Sequence, residues 1–365
     1  MNEWGSMTRR QAIKSGAMAA GLSVLTSAVQ AEEGDGWIDA HSHIWPSETD
    51  KFPLVAGLTK RDLEPASFTD DELMAIAGPE GVTRVVFIQH SVFHLFDNSY
   101  LIDAVRRHPK RFRVVGMVDD HQSNAGAEMK RLQPLGVTGF RITPFIRKVQ
   151  PENWLNTAGM RQMWKTGAET RQAMCCLLNP EQLPGIDAMC EQNPETPVVI
   201  DHFARIGTDG QMRDEDIQKL VHLARHKQTC VKLSAFYALG QKKPPHVELI
   251  PMIKRLYDAF GPQRLMWASD CPYQIQGANN YKASISLIKD KLDFVSVEDK
   301  AWLLRKTAER IFFNSSLLRD RRRRECRPKT LEAVPLAQIE SGQRDATVRS
   351  ASTLPMPYRK VGTSR

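Results

Sequence analysis

His41 and His43, one residue apart, end a mostly apolar stretch that begins at Trp37. On an extended strand, residues two apart face the same way, so both imidazoles reach one cavity. Such a pair holds a divalent metal, or polarises a carbonyl oxygen without one. Alone it reads equally well as surface polarity, and its weight comes from polar residues that recur at similar places along the chain. Gln89 and His90, Arg141, Asp201 and His202, Ser234 with Phe236 and Tyr237, and Ser269 through Tyr273 each end or follow a short apolar, β-branched run. Among them Asp270 has the type of a general base, or of an ordinary loop-starting Asx turn. Asp201 and His202 are adjacent, so either one holds the other in place. Arg141 carries the planar fork that recognises a carboxylate, with Arg147 and Lys148 close behind it; its plain alternative is an ion pair at a rim. His90, His94, Tyr237 and Tyr273 complete the set as residues expected to line a pocket.

These residues become neighbours only if the runs before them are strands of one sheet. Eight strands are expected at residues 37–41, 83–89, 112–118, 137–142, 173–178, 197–201, 229–234 and 264–268. Amphipathic helical patterns separate them at 99–107, 125–133, 159–171, 180–191, 214–226 and 247–260. Near-continuous apolar strands alternating with helices imply a parallel sheet covered on both faces. Eight units in this length predict a single (β/α)8 TIM-type barrel, with an open doubly wound sheet as the alternative. In such a barrel the chemistry gathers where the strands end. Residues 44–79 are too many for an ordinary loop, so they are expected to fold over the barrel mouth with one short helix at 69–77. No GxGxxG motif occurs in the body, which argues against a nucleotide cofactor.

The two ends read differently. Residues 1–31 combine Arg9-Arg10, an apolar Gly- and Ala-rich stretch and Ala31 at a small-residue cleavage site, the pattern of an export signal. It is similar to a twin-arginine signal, with Lys14 in place and Ala12 departing from it, so a periplasmic location with no membrane span after cleavage is expected. Residues 319–365 are basic and poor in large apolar residues, the composition of a disordered tail. Of the net charge of +8, the first 31 residues carry +2 and residues 319–365 carry +7, leaving the body at −1. The basic character belongs to the ends, and no nucleic-acid partner is expected of the barrel at 37–318. The six cysteines, Cys175, Cys176, Cys190, Cys230, Cys271 and Cys326, lack zinc-ribbon spacing, and most sit where buried free thiols are common.

Four segments in order, 38–45 around His41 and His43, 139–141, 199–202 and 264–272, carry a resemblance to the amidohydrolase-related branch of the metal-dependent hydrolase superfamily. The resemblance spans nearly the whole barrel, and its lactonases and aminocarboxymuconate-type decarboxylases set the expectations. It implies that His41 and His43 bind a metal or contact the substrate carbonyl, that His202 is the sixth-strand histidine, and that Asp270 activates the attacking water. It implies further that Arg141 holds a substrate carboxylate. A metal, zinc or manganese, would use His41, His43 and Asp270, with His202 or Cys176 moving in. One departure bears on this: metal-using members carry a histidine after the fifth strand, and here Asn179 stands there, a poor zinc ligand. Catalysis therefore takes no cofactor or one divalent metal.

The expected function is hydrolysis of a small carboxylated substrate, a lactone or cyclic ester, by water activated at Asp270, with His41, His43 and His202 stabilising the oxyanion. Nearby imidazoles are expected to favour the charged form of Asp270. The alternatives are a metal-dependent amide hydrolase or non-oxidative decarboxylase on the same barrel, and an inactive barrel that binds a ligand or envelope polymer.

Overall fold

The computed structural model describes residues 36–146 and 154–313. The expected export signal, the basic tail, Cys326, Arg147 and Lys148 lie outside them. Eight strands, β1 (Trp37–Ser42), β2 (Val82–Ile88), β3 (Phe112–Gly116), β4 (Val137–Ile142), β5 (Ala173–Cys176), β6 (Val198–Ile200), β7 (Thr229–Leu233) and β8 (Leu265–Trp267), pair in parallel in the order of the chain. The β1/β8 seam is joined by a parallel bridge between Ser42 and Cys271. Across it His43 N–H donates to Cys271 O and Asp270 N–H to His41 O, both at 2.8 Å. The expected barrel is thus present; β4 has the predicted bounds and every other strand falls within two residues of them.

The covering helices are α1 (Asp70–Ala77), α2 (Ser99–Arg107), α3 (Ala125–Leu132), α4 (Ala158–Thr170), α5 (Leu183–Gln192), α6 (Asp214–His222) and α7 (Ile250–Phe260). The 180–191 and 247–260 patterns each begin as a 3-10 turn before becoming helix, and Pro184 and Pro251 then sit in the first helical turn, where a missing N–H is harmless. Three further helices follow β8: α8 (Tyr281–Asp290), α9 (Val297–Ala301) and α10 (Thr307–Phe312). Among the described residues no helix is long and apolar enough to cross a membrane. Their five cysteines are free and buried.

The long segment after β1 is built against its neighbours. Trp45 pairs with Phe68 through two backbone hydrogen bonds of 2.9 Å, and Val55 N–H donates to Phe93 O at 2.8 Å. The expected helix there is α1, opened by a capping box in which Thr69 and Glu72 satisfy each other's backbone N–H groups.

Apolar side chains pack both outside the strands, against the helices, and inside the barrel. The inner set includes Ile38, Ala40, Val86, Ile88, Cys175, Val199, Cys230 and Met266, and it is completed by Phe312 and Phe313. Arg84 and Arg113, early in β2 and β3, lie 5.1 and 4.9 Å from the centre of the Phe313 ring. The last described helix therefore stoppers the N-terminal end of the barrel and leaves the C-terminal end for the site. Phe312→Ala should leave a cavity in this plug and lower unfolding stability by about 3–5 kcal/mol, read as the shift in a urea unfolding midpoint; an unchanged midpoint would mean the plug carries no weight.

Candidate active site

Strict alternation would send Ile38, Ala40 and Ser42 to one face of β1 and Asp39, His41 and His43 to the other. Ile38 and Ala40 do face the barrel interior. The register then shifts between Asp39 and Ser42, and this irregularity turns His41 inward as well. Asp39 stays behind, in the seam with β8. Its carboxylate accepts from Ser269 N–H at 2.9 Å, Ser269 Oγ at 2.5 Å, Ser42 Oγ at 2.8 Å, Tyr281 Oη at 2.9 Å and His41 N–H at 3.2 Å. Sequence reasoning did not single out Asp39. A carboxylate two residues before the first histidine, in an otherwise buried strand, was the available signal.

The inward turn brings His41, His43 and Asp270 together, as expected. His41 Nε2, His43 Nε2 and Asp270 Oδ1 lie 3.4 Å from one another on all three sides. His43 Nδ1 is 2.9 Å from the carbonyl of Ile88; a carbonyl only accepts, so Nδ1 carries the hydrogen and Nε2 presents a lone pair. Asp270 Oδ1 is buried without a hydrogen-bond donor among the described residues. His202 joins from β6, with Nε2 3.8 Å from Asp270 Oδ2 and Nδ1 2.8 Å from Ser234 Oγ. Tyr237 donates to Asp270 Oδ2 at 2.7 Å.

A second group lies beneath the first. Arg141 Nη2 is 3.0 Å from His41 Nε2 and 3.4 Å from Asp201 Oδ2, while its Nε is buried without an acceptor among the described residues. Asp201 Oδ1 is 3.0 Å from Lys232 Nζ. Lys232, wholly buried on β7, was missed by sequence reasoning; a lysine inside the apolar run Cys230-Val231-Lys232-Leu233 was its signal.

Several strand ends use backbone that L-residues rarely adopt. His202 has φ of 52° and begins a left-handed run through Arg205; Ala235 and Asp270 have φ of 57° and 62°. Such strain persists only where surrounding contacts impose it, and it clusters at functional sites.

Other expected residues divide. His90 faces His43 at 5.1 Å between ring centres and meets Tyr273 Oη at 2.5 Å, and Tyr273 stacks on Tyr237 at 6.2 Å, so these three gather beside the histidine cluster. His94 Nδ1 is 3.0 Å from Pro53 O, which ties two loops together beside His90. Asn179 accepts from Arg205 at 2.9 Å and donates to Glu181 at 2.9 Å, taking no part in the histidine cluster. Cys176 packs in the layer between barrel and helices, and it is Cys175 that faces the interior. Cys176 is therefore no ligand in reserve, because neighbours on a strand point to opposite faces.

Burial dominates the electrostatics. It pushes His43 down to about 3, helped by Arg141, and His202 down to about 4 against the pull of Asp270. His41 is held well below its ordinary value by burial and then by Lys232. The three imidazoles are thus neutral. Burial would raise the Asp201 carboxyl, yet Lys232, His41 and Arg141 hold it well below the usual range. Asp270 goes the other way: burial raises it, outweighing His202 and Tyr237. His202 does favour its charged form, as expected, but burial outweighs that pull and the net shift is upward.

The cluster fits a divalent ion. A tetrahedral site with bonds of about 2.0–2.1 Å spaces its ligand atoms about 3.4 Å apart, and His41, His202 and Asp270 also offer ligand atoms within 4.8 Å of one another.

The family model described as Amidohydrolase matches residues 38–313. A 4-sulfomuconolactone hydrolase of Rhizobium radiobacter is 25% identical over 237 residues, 64% of this chain and 75% of that protein. An L-fucono-1,5-lactonase of Burkholderia ambifaria is 27% identical over 239 residues, 64% of this chain and 80% of the relative. A crystal structure of an amidohydrolase from Burkholderia multivorans with bound zinc superposes with a TM-score of 0.63 at 19% identity, covering 76% of this chain and 99% of its own. The match begins at the strand bearing the two histidines and runs to the phenylalanine plug, and on that extent the chain belongs to the amidohydrolase family of hydrolases.

Proposed function

We propose that this hydrolase opens a lactone bearing a carboxylate, with Asp270 as the base that activates water. One observation carries the reading: among the described residues, the site holds a buried acceptor with no donor, Asp270 Oδ1, and a buried donor with no acceptor, Arg141 Nε. A water supplies the hydrogen that the first lacks, and a substrate oxygen supplies the acceptor that the second lacks. Both relatives compared above are named for hydrolysis of a lactone, one of them sulfonated.

The chain's own groups then have distinct tasks. Asp270 takes the proton as the water oxygen attacks the carbonyl carbon, and its raised basicity suits that transfer. His43 Nε2 accepts the other water hydrogen and fixes the direction of attack. With Ser234 donating to His202 Nδ1, His202 Nε2–H faces the pocket and stabilises the oxyanion. The ring C–O bond breaks, the former ring oxygen takes back the proton from Asp270, and the product is a hydroxy acid. Arg141 anchors the carboxylate through its charge-assisted N–H.

The three converging acceptors favour a second form of the same reading. His41, His43 and Asp270 would hold zinc or manganese once Arg141 releases His41 Nε2, with His202 close by. A bound ion supplies Lewis acidity and lowers the pKa of its water.

Asp270→Asn should lower kcat on carboxylated lactones by about 10²–10⁴-fold with the melting temperature unchanged; near-normal turnover in this variant would remove Asp270 from the mechanism. Arg141→Met should raise KM for such lactones by about 10–100-fold, and raise it little for an uncharged lactone of the same ring size. Calorimetric titration of the metal-stripped protein with zinc should show about one site per chain, weakened at least tenfold in His43→Ala and tightened in Arg141→Met. The absence of any zinc binding would leave the three acceptors to water alone.

A further inference from the structure

We propose that Asp201 and Lys232 are positioning residues that fix the tautomer of His41, so that its Nε2 lone pair points into the site. The kinetic part of the test rests on the hydrolase reading above; the geometry does not.

Lys232 occupies the fourth position of β7 and is wholly buried. An ammonium group taken out of water is costly unless it is paired and hydrogen-bonded. Its Nζ lies 3.0 Å from Asp201 Oδ1 and 3.3 Å from His41 Nδ1, with the Phe312 ring 5.5 Å beneath it. His41 Nδ1 is in turn 3.6 Å from Asp201 Oδ1. At the other side of the ring Arg141 Nη2 is 3.0 Å from His41 Nε2.

Lysine and arginine only donate. A neutral imidazole has one nitrogen lone pair, so two cations cannot both donate to His41. The shorter contact belongs to Arg141, which places the lone pair on Nε2 and the hydrogen on Nδ1. That hydrogen faces Asp201 Oδ1 at 3.6 Å, an electrostatic contact longer than a hydrogen bond. Lys232 Nζ forms an ion pair with the same carboxylate oxygen at 3.0 Å and sits beside the imidazole at 3.3 Å. Asp201 also accepts from Arg141 on its other oxygen at 3.4 Å.

Lys232 acts through Asp201. Without its charge, Asp201 is a buried carboxylate left to Arg141, and it turns toward that guanidinium or binds a proton. In either state the Nδ1–H of His41 loses its electrostatic partner, and the ring no longer holds one orientation. A lysine that served only the fold would change stability and leave the tautomer alone.

The test uses the full chain labelled with 15N in histidine, the His41 signals being assigned by their loss in His41→Gln. Wild-type His41 should show a protonated Nδ1 and an unprotonated Nε2; in Asp201→Asn and in Lys232→Met this pattern should give way to a mixture. Each single variant should lower kcat by about 10–100-fold, the range for groups that orient an active residue, with KM changed by less than about threefold. The near-isosteric neutral double variant Asp201→Asn/Lys232→Met should be no slower than the slower single one, since both act on one ring. If Lys232→Met does not fold, the spectrum of Asp201→Asn decides alone. Retention of the Nδ1–H pattern in every folded variant, or a double variant that loses the product of the two single effects, would overturn the proposal. A wild-type protein that hydrolyses no lactone would remove the hydrolase reading, while the imidazole signals would still decide the tautomer.

Discussion

Asp270 N–H donates to the carbonyl of His41, and His43 N–H donates to the carbonyl of Cys271, each at 2.8 Å. This short ladder joins the first strand to the last, and it places His41 Nε2, His43 Nε2 and Asp270 Oδ1 within 3.4 Å of one another although Asp270 lies more than 220 positions from the two histidines. Asp39 reinforces it with five hydrogen bonds that reach both sides of the seam and the Tyr281 hydroxyl behind it. Closure of the barrel and assembly of the site are therefore one event. A site built on such a seam inherits the rigidity of the backbone, which is what a water held between several acceptors requires.

Charge in the pocket is arranged in two storeys. Below, Lys232, Asp201 and Arg141 form a buried group with one positive charge in excess. Above, neutral imidazoles surround a carboxylate whose basicity burial has raised. The lower storey polarises His41 without touching Asp270, and the upper one keeps Asp270 free of a direct cation. Arg141 touches both storeys, through Asp201 below and His41 above, and so couples the two.

Much of the fold was legible because hydrophobic period and length agree along the body: β4 and the capped helix α1 stand where periodicity puts them. The strand-end histidines and Asp270 were legible for the same reason, since the barrel converts strand ends into neighbours. Three things were not. The register shift after Asp39 breaks a period of two without any glycine or proline to announce it. Lys232 is a charged residue where strand lysines ordinarily meet water, and only its three-dimensional partners reveal a buried role. The shift of Asp270 depends on the balance of desolvation against neutral rings, and neither is visible in residue types. Cys176 was expected as a reserve ligand by its residue type without regard to its strand face, and it lies on the outer one.

The phenylalanine plug has a bearing on how the chain reaches this state. The inner core of β1 is lined by Phe312 and Phe313, which are made some 270 residues after Trp37. Until α10 is made, the N-terminal mouth of the barrel is open to water and the inner face of β1 lacks its last packing partners. Such distant pairings are slow to form and leave sheet edges bare in the meantime. Synthesis of this protein is thus a period in which nearly all of the sheet exists without a closed interior, and any factor that shields bare strands acts during that interval.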